Sequence, residues 1–250
     1  MPTNTLPRIA IPMPHSTDRE YAERAIPQYE RAVERAGGEP VRIPLDKTPA
    51  EILQIIAHCD GVLLPGSNAD VDPSKFGAPR AARTAAGDPG RNAVDELLLQ
   101  DAFHQRKPIL GICYGLQSLN VYRAGSLIQH IPDFLPEELR ARVNHEAGKT
   151  IPIAHTVEIA IDSRLAEILG RKDKPVLPVN SSHHQSADTV GDGLRIAARC
   201  PDDGIVEALE GTAPDHFVLA VQWHPERSVA EDEPSRAIFR ALIEAAGKHG

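Results

Sequence analysis

Aromatic residues make up only 4% of this chain. Its interior therefore has to be filled by Ile, Leu, Val and Ala rather than by stacked rings. Cysteine is also scarce. Cys59, Cys113 and Cys200 are the three present, an odd number with no CxxC pair. A disulfide framework is thereby disfavoured, and a reducing compartment fits best. No long basic tract occurs, and 35 acidic residues against 27 basic ones give a formal net charge of −8. That argues against nucleic acid as a partner and gives no reason to expect an anionic membrane surface to attract the chain. No run approaches the roughly 20 apolar residues needed to span a bilayer. The N-terminal residues lack the apolar stretch of a secretory signal, so a cytoplasmic location is expected. Repeats, low-complexity tracts and an obvious linker are missing too, with the 22 prolines spread along the chain. A single domain over residues 1–250 is the reading that follows.

What is present is a regular alternation of strand and helix patterns through the first half. Arg8 to Met13 reads as a short apolar strand. Ile26, Tyr29, Val33 and Ala36 fall at helical spacing, and Gly37-Gly38 ends that helix. Glu39 to Pro44 reads as a strand. Pro49 to Cys59 reads as a helix with Thr48 as N-cap and Pro49 at its first position. Gly61 to Pro65 is apolar throughout, as a strand covered on both faces should be. Asn92 to Gln105 is helical, Lys107 to Ile112 a strand, and Leu116 to Tyr122 a helix. This rhythm predicts an α/β fold with a mostly parallel central sheet and helices on both faces. In the second half, Thr150–Ile161, Leu194–Arg199, Gly204–Glu210 and His216–Trp223 read as strands. Only Ser163–Leu169 and Ser235–Ala246 look helical there, which predicts antiparallel strands added to the parallel core.

One strand-to-helix junction carries chemistry. The segment Gly111-Ile112-Cys113-Tyr114-Gly115 has the form G-x-C-x-G, the thiol counterpart of the G-x-S-x-G nucleophile elbow. A sharp turn lifts the nucleophile out of the sheet, and glycines on either side remove Cβ atoms that would clash. The following helix N-terminus favours a thiolate. The Tyr114 amide can face an oxyanion. A buried structural cysteine fits the same five residues. Cys59 and Cys200 have no such surroundings and read as structural.

A catalytic thiol needs a base. The apolar strand Val218–Trp223 ends in His224-Pro225-Glu226, which puts an imidazole at a strand's carboxyl end, where ligands gather in parallel sheets, and a carboxylate two residues on. Cys113, His224 and Glu226 can thus form a triad of nucleophile, acid/base and orienting carboxylate. Taken alone, His-Pro-Glu equally suits a histidine leaving a strand beside a solvated charge.

Together these segments resemble the class I glutamine amidotransferase superfamily, and more narrowly its gamma-glutamyl-gamma-aminobutyrate hydrolase branch. The resemblance rests on Leu64-Pro65-Gly66-Ser67, Asp88-Pro-Gly-Arg91-Asn92-Ala-Val-Asp95, the elbow and helix from Gly111 to Val121, Val179-Asn180-Ser-Ser182-His183-His184-Gln185, and Gln222-Trp-His224-Pro-Glu226. It implies a flavodoxin-like fold and cysteine-dependent hydrolysis of a γ-glutamyl amide through a thioester. It implies an oxyanion hole from the amides of Gly66 and Tyr114, and a substrate pocket that includes Gln117, Ser182 and His183. The substrate would be a small γ-glutamyl amide, and a homodimer is compatible with the reading. No cofactor is implied. Adjacent His183 and His184 lack the ligand spacing of HExxH or paired cysteines, so no metal is expected. Four positions depart from the family pattern: Asn92 and Asp95 in the D-x-x-R-D-x-x-E segment, Tyr114 where Arg is frequent, and Ala124 before Gly125. Arg91 is expected to serve as an ion-pair partner of Asp88 or Asp95. Two other functions fit the same features: a glutaminase subunit delivering ammonia to a synthase, and a catalytically degenerate binding protein.

Overall fold

The computed structural model describes residues 5–173 and 175–249. Its first half runs β1 (Arg8–Pro12), α1 (Arg19–Arg35), β2 (Glu39–Ile43), α2 (Pro49–Ile56), β3 (Gly61–Leu64), α3 (Pro89–Gln105), β4 (Ile109–Ile112) and α4 (Tyr114–Tyr122). The second half adds β5 (Leu127–Ile128), α5 (Ile131–Phe134), α6 (Glu137–Arg140), β6 (His155–Ile159), α7 (Arg164–Ile168) and β7 (Val176–Val179). It closes with β8 (Ser186–Ala187), β9 (Leu194–Arg199), β10 (Val206–Gly211), β11 (Val218–Val221) and α8 (Glu233–Gly247).

Local chemistry sets these boundaries. Thr48 and Glu51 form a capping box at the start of α2, with Thr48 N–H donating to Glu51 Oε2 at 2.9 Å and Pro49 occupying a position whose N–H would be orphaned anyway. At the far end of α1, Gly37 adopts φ +91°, a conformation open to glycine at no Cβ cost. There the Gly38 amide reaches back to the Val33 carbonyl at 3.0 Å.

One sheet carries nine strands in the order β2-β1-β3-β4-β11-β10-β9-β6-β7. From β2 to β11 the pairing is parallel, and from β11 to β7 it is antiparallel. The expected parallel core with antiparallel additions is therefore present. Helices α1, α7 and α8 pack Ile26, Val33, Leu165, Phe239 and Leu242 against one face. Helices α2, α3 and α4 pack Ile52, Leu98 and Leu116 against the other. With both faces covered, β1, β3, β4 and β11 are buried almost end to end, which is why they read as unbroken apolar runs. No described helix is long and apolar enough to cross a membrane.

Two strand expectations change within the nine-stranded sheet, and β5 pairs with β8 in a small unexpected sheet of its own. The run Thr150–Ile161 shrinks to β6, because residues 147–151 close turns through Thr150 and Ile151 amides bonded to the Ala147 carbonyl. Val176–Val179 is an additional strand despite Pro178. It lies at the sheet edge, where a missing N–H costs no ladder bond.

Candidate active site

The functional edge follows from strand order. β4 and β11 are parallel neighbours with Ile112 opposite Val221, so the residues leaving both strands emerge side by side. The Cys113 amide donates to the Val221 carbonyl at 2.8 Å. Cys113 then turns at φ 54°, ψ −104° into α4, a strained backbone for a residue with a Cβ that costs about 1–3 kcal/mol. Glycine is required on both sides of it. A Cβ on Gly115 would stand 2.2 Å from the Leu64 carbonyl oxygen, and one on Gly111 would stand 2.8 Å from the Gly115 carbonyl oxygen. Both obstacles are backbone of packed elements and cannot swing away. Gly115→Ala should consequently destabilise the protein by more than about 2 kcal/mol, at the upper end of overpacking penalties, as read from urea unfolding. A loss below half of that would mean β3 and α4 yield more easily than their packing implies.

His224 and Cys113 share one surface. A Cβ on Gly66 would touch both, at 3.2 Å from His224 Cε1 and 3.7 Å from Cys113 Cβ. His224 Nδ1 lies 2.7 Å from Glu226 Oε1. Because a carboxylate accepts, Nδ1 carries the proton, leaving Nε2 for the thiol side. Both His224 and Glu226 are buried. Burial alone pulls the imidazolium pKa down, but Glu226 and the neighbouring Cys113 together outweigh it and carry the pKa up to about 9. The carboxylate thus favours the protonated ring, as an acid about to donate to a leaving group requires.

A residue that the sequence reading gave no role positions the histidine. Asn180 accepts from the His224 amide at 2.9 Å and donates to the His224 carbonyl at 2.9 Å. This reciprocal pair ties the Val179–Gln185 segment to the histidine. Asn180 belongs to the Val179–Gln185 motif, yet nothing in the sequence says which backbone it grips.

Cys113, His224, Tyr114, Gln117, Ser182 and His183 all line one cavity of about 500 Å³, within the range that suits small ligands. Several of the expected contributions are modified by their partners. The Gly66 amide donates to the Tyr29 hydroxyl at 3.0 Å, and burial keeps that phenol protonated far above its ordinary range. Gly66 is therefore already engaged, and it can meet an oxyanion only by exchanging Tyr29 for it. Gln117 Nε2 lies 3.3 Å from both the Gln185 carbonyl and Gln222 Oε1. His183 gives the cavity a wall, but both its ring nitrogens face protein, Nδ1 at 2.8 Å from the Gln185 carbonyl and Nε2 at 3.4 Å from Glu207.

Two of the departures from the family pattern touch each other. The Tyr114 hydroxyl meets Asn92 Oδ1 at 2.5 Å, beneath the Arg91 guanidinium at 4.9 Å from the ring centroid. A neutral hydrogen bond joins these positions where Arg and Asp are the frequent residues. Arg91 itself pairs with Asp95 at 2.7 Å and donates to the Pro65 carbonyl at 2.8 Å. It anchors the loop that carries Gly66, while Asp88 instead caps α3 through the Arg91 amide. Cys59 and Cys200 are buried, and burial pushes their thiols up to about 11 and about 12, which leaves them inert beside Cys113.

Comparison with known proteins agrees with this architecture. Residues 9–226 match the peptidase C26 family. The gamma-glutamyl-gamma-aminobutyrate hydrolase PuuD of Escherichia coli is 34% identical, over 97% of this chain and 94% of its own length. The Mycobacterium tuberculosis protein Rv2859c is 37% identical over 87% of this chain, and the match spans 66% of that relative's length. Among solved structures, the glutaminase domain of Trypanosoma brucei CTPS with bound acivicin superposes with a TM-score of 0.61 at 18% identity, covering 97% of this chain and 94% of that one. At that identity the likeness speaks for the shared fold, a flavodoxin-like α/β sheet.

Proposed function

We propose, from the premise that this chain belongs to the peptidase C26 family, that it is a hydrolase of γ-glutamyl amides working through a Cys113-His224-Glu226 triad. The observation that carries this reading is the meeting of a strained elbow cysteine and a carboxylate-held histidine in one cavity. The named activity of PuuD supplies the substrate class.

The geometry supports the following steps. Cys113 Sγ, as thiolate, attacks the γ-amide carbonyl carbon and forms the C–S bond. The carbonyl oxygen takes up negative charge and is met by the Tyr114 amide at the start of α4. Gly66 is the second donor once its amide releases Tyr29. A donor of this kind is worth about 100- to 1000-fold in rate. His224 Nε2 passes its proton to the leaving nitrogen as the C–N bond breaks, which releases the amine and leaves a thioester. Water then gives a proton to His224 and attacks the thioester. The C–S bond breaks, glutamate leaves, and the thiolate–imidazolium pair is restored. Gln117 and Ser182 hold the glutamyl portion, with His183 as wall.

The test is a panel of γ-glutamyl amines, including γ-glutamyl-GABA, run beside free glutamine on the isolated chain. The expected result is amine release from at least one γ-glutamyl amine at 10-fold or more the rate of ammonia release from glutamine. Faster turnover of glutamine would instead assign an ammonia-supplying glutaminase. Absence of turnover on the whole panel, with tight binding of one member, would assign a binding protein.

A further inference from the structure

Behind the wall formed by the Val179–Gln185 segment, four ionisable side chains from separate parts of the chain converge. Glu207 sits at a register shift in β10, between Val206 and Ala208, and such a bulge re-aims a side chain. His155 opens β6. His145 and His183 stand on loops, joined by the His183 amide donating to the His145 carbonyl at 3.0 Å. All four side chains are 4% exposed or less.

Their donor atoms point at one another. Glu207 Oε1 lies 3.0 Å from His145 Nδ1, 3.4 Å from His155 Nε2 and 3.4 Å from His183 Nε2. None of these approaches has hydrogen-bond geometry. Among the described residues, all three nitrogens and both Glu207 oxygens are buried without a hydrogen-bond partner. The outer nitrogen of each ring, by contrast, is engaged. His183 Nδ1 meets the Gln185 carbonyl at 2.8 Å, His155 Nδ1 meets the Thr156 carbonyl at 3.0 Å, and His145 Nε2 meets Asp203 Oδ2 at 2.8 Å. A carbonyl oxygen only accepts, so the first two rings carry their proton on Nδ1 and turn a bare Nε2 lone pair toward a carboxylate. Lone pairs facing an anion repel, and each unanswered buried atom keeps the full penalty of its lost hydration.

A cation in the middle turns the three nitrogen lone pairs and Glu207 Oε1 from mutual repulsion to ligation. Zinc bonds nitrogen at about 2.0–2.1 Å, so the edges of its tetrahedron are roughly 3.3 Å long. The three Glu207–histidine separations bracket that length, and all four donor atoms lie within 4.8 Å of one another. The engaged outer nitrogens form the outer shell that metal-bound histidines use to fix ring orientation, with Asp203 completing a carboxylate–histidine–metal relay.

We propose that His145, His155, His183 and Glu207 bind one divalent transition-metal ion, zinc by donor type and geometry, in a closed site that ties the two loops to β6 and β10. Four protein ligands leave no open position, so the ion holds structure and does not activate water. Its place gives the His183 segment a second purpose. The same loop carries Asn180, which clamps His224, and Ser182, which lines the cavity. The sequence reading expects no metal here. The four ligands come from four segments with no short-range spacing, so they cannot form a recognisable motif. The rival arrangement is a shared proton on His145 between Asp203 and Glu207. It answers one nitrogen and leaves the lone pairs of His155 and His183 facing the carboxylate.

The full chain, stripped with chelator and dialysed, is titrated with zinc by calorimetry and with cobalt by visible absorption. The expected result is one zinc per chain, tetrahedral cobalt bands, and a Tm that rises with zinc and falls with chelator. Glu207→Gln and His183→Gln should lose stoichiometric binding. Asp203→Asn should weaken it about 10- to 100-fold, and Cys200→Ser should leave it intact. Should Glu207→Gln fail to fold, the wild-type titration and the Asp203→Asn affinity decide. Wild-type protein that binds neither ion, with a Tm indifferent to zinc and chelator, holds a proton only and overturns the proposal. Binding that survives in Glu207→Gln overturns it equally.

Discussion

Cys113→Ala should lower hydrolysis of the best γ-glutamyl amide by at least about 10,000-fold, the scale seen when a covalent nucleophile is removed while the binding site stays. The fold should survive the change. Cys113 holds its turn through its backbone amide on Val221 and through the glycines around it, and neither depends on sulfur. Cys113→Gly makes the sharper comparison. At φ 54°, ψ −104° the native Cβ is strained by about 1–3 kcal/mol, whereas glycine adds roughly 0.5–1 kcal/mol of unfolded-chain entropy. Strain relief should equal or exceed that cost. The glycine variant should therefore be inactive yet at least as stable as wild type in urea unfolding. Retained activity in Cys113→Ala would end the covalent scheme. A glycine variant weaker by more than about 1 kcal/mol would show that the elbow stores no strain.

Glu226→Gln should reduce kcat/KM by about 100- to 10,000-fold, because an amide can present its N–H to Nδ1 and stabilise the wrong tautomer. It should also change the pH profile. The His224 pKa of about 9 lies above the ordinary imidazole value of 6.5, so the folded state favours the imidazolium. The stability this contributes is complete below about pH 6.5 and is lost as pH rises through about 9. The acid form needed for amine departure disappears over the same range, so wild-type kcat/KM should fall above about pH 9. The falling limb reports the imidazolium of His224. With glutamine at position 226 the charge that held the proton is gone, and the limb should move to lower pH. A Glu226→Gln limb that stays near pH 9 would mean that the carboxylate does not set the histidine's proton affinity. His224→Gln should lose at least as much rate as Glu226→Gln and show no such limb.

Much of this was legible beforehand because the signals are local. Thr48-Pro49 marks a helix start whatever surrounds it. Continuous apolar runs at Gly61–Pro65 and Val218–Val221 report strands covered on both faces. The elbow was legible because a strand turning abruptly into a helix excludes Cβ atoms at Gly111 and Gly115 within five residues of sequence. What escaped depended on neighbours distant along the chain. Val176–Val179 forms a strand because it occupies an edge, where Pro178 is tolerated. Gly66 looked like a free amide until α1 brought the Tyr29 hydroxyl to it. Asn92 and Tyr114 looked like two separate departures until the fold set one hydrogen bond between them.

The linear order of residues determined the layered α/β class and the three chemical groups at strand ends, since periodicity, glycine placement and strand-end position are written within a few residues of each other. Tertiary structure decided which groups meet. Parallel pairing of β4 with β11 set Cys113 beside His224, over a hundred residues away in the chain, and the clamp by Asn180 came from a loop between them. The gathering of His145, His155 and His183 around Glu207 belongs to the same class of fact. Cooperation among such groups is a matter of three or four ångströms in space, and only the assembled sheet with its crossovers converts remote positions in a chain into separations of that size.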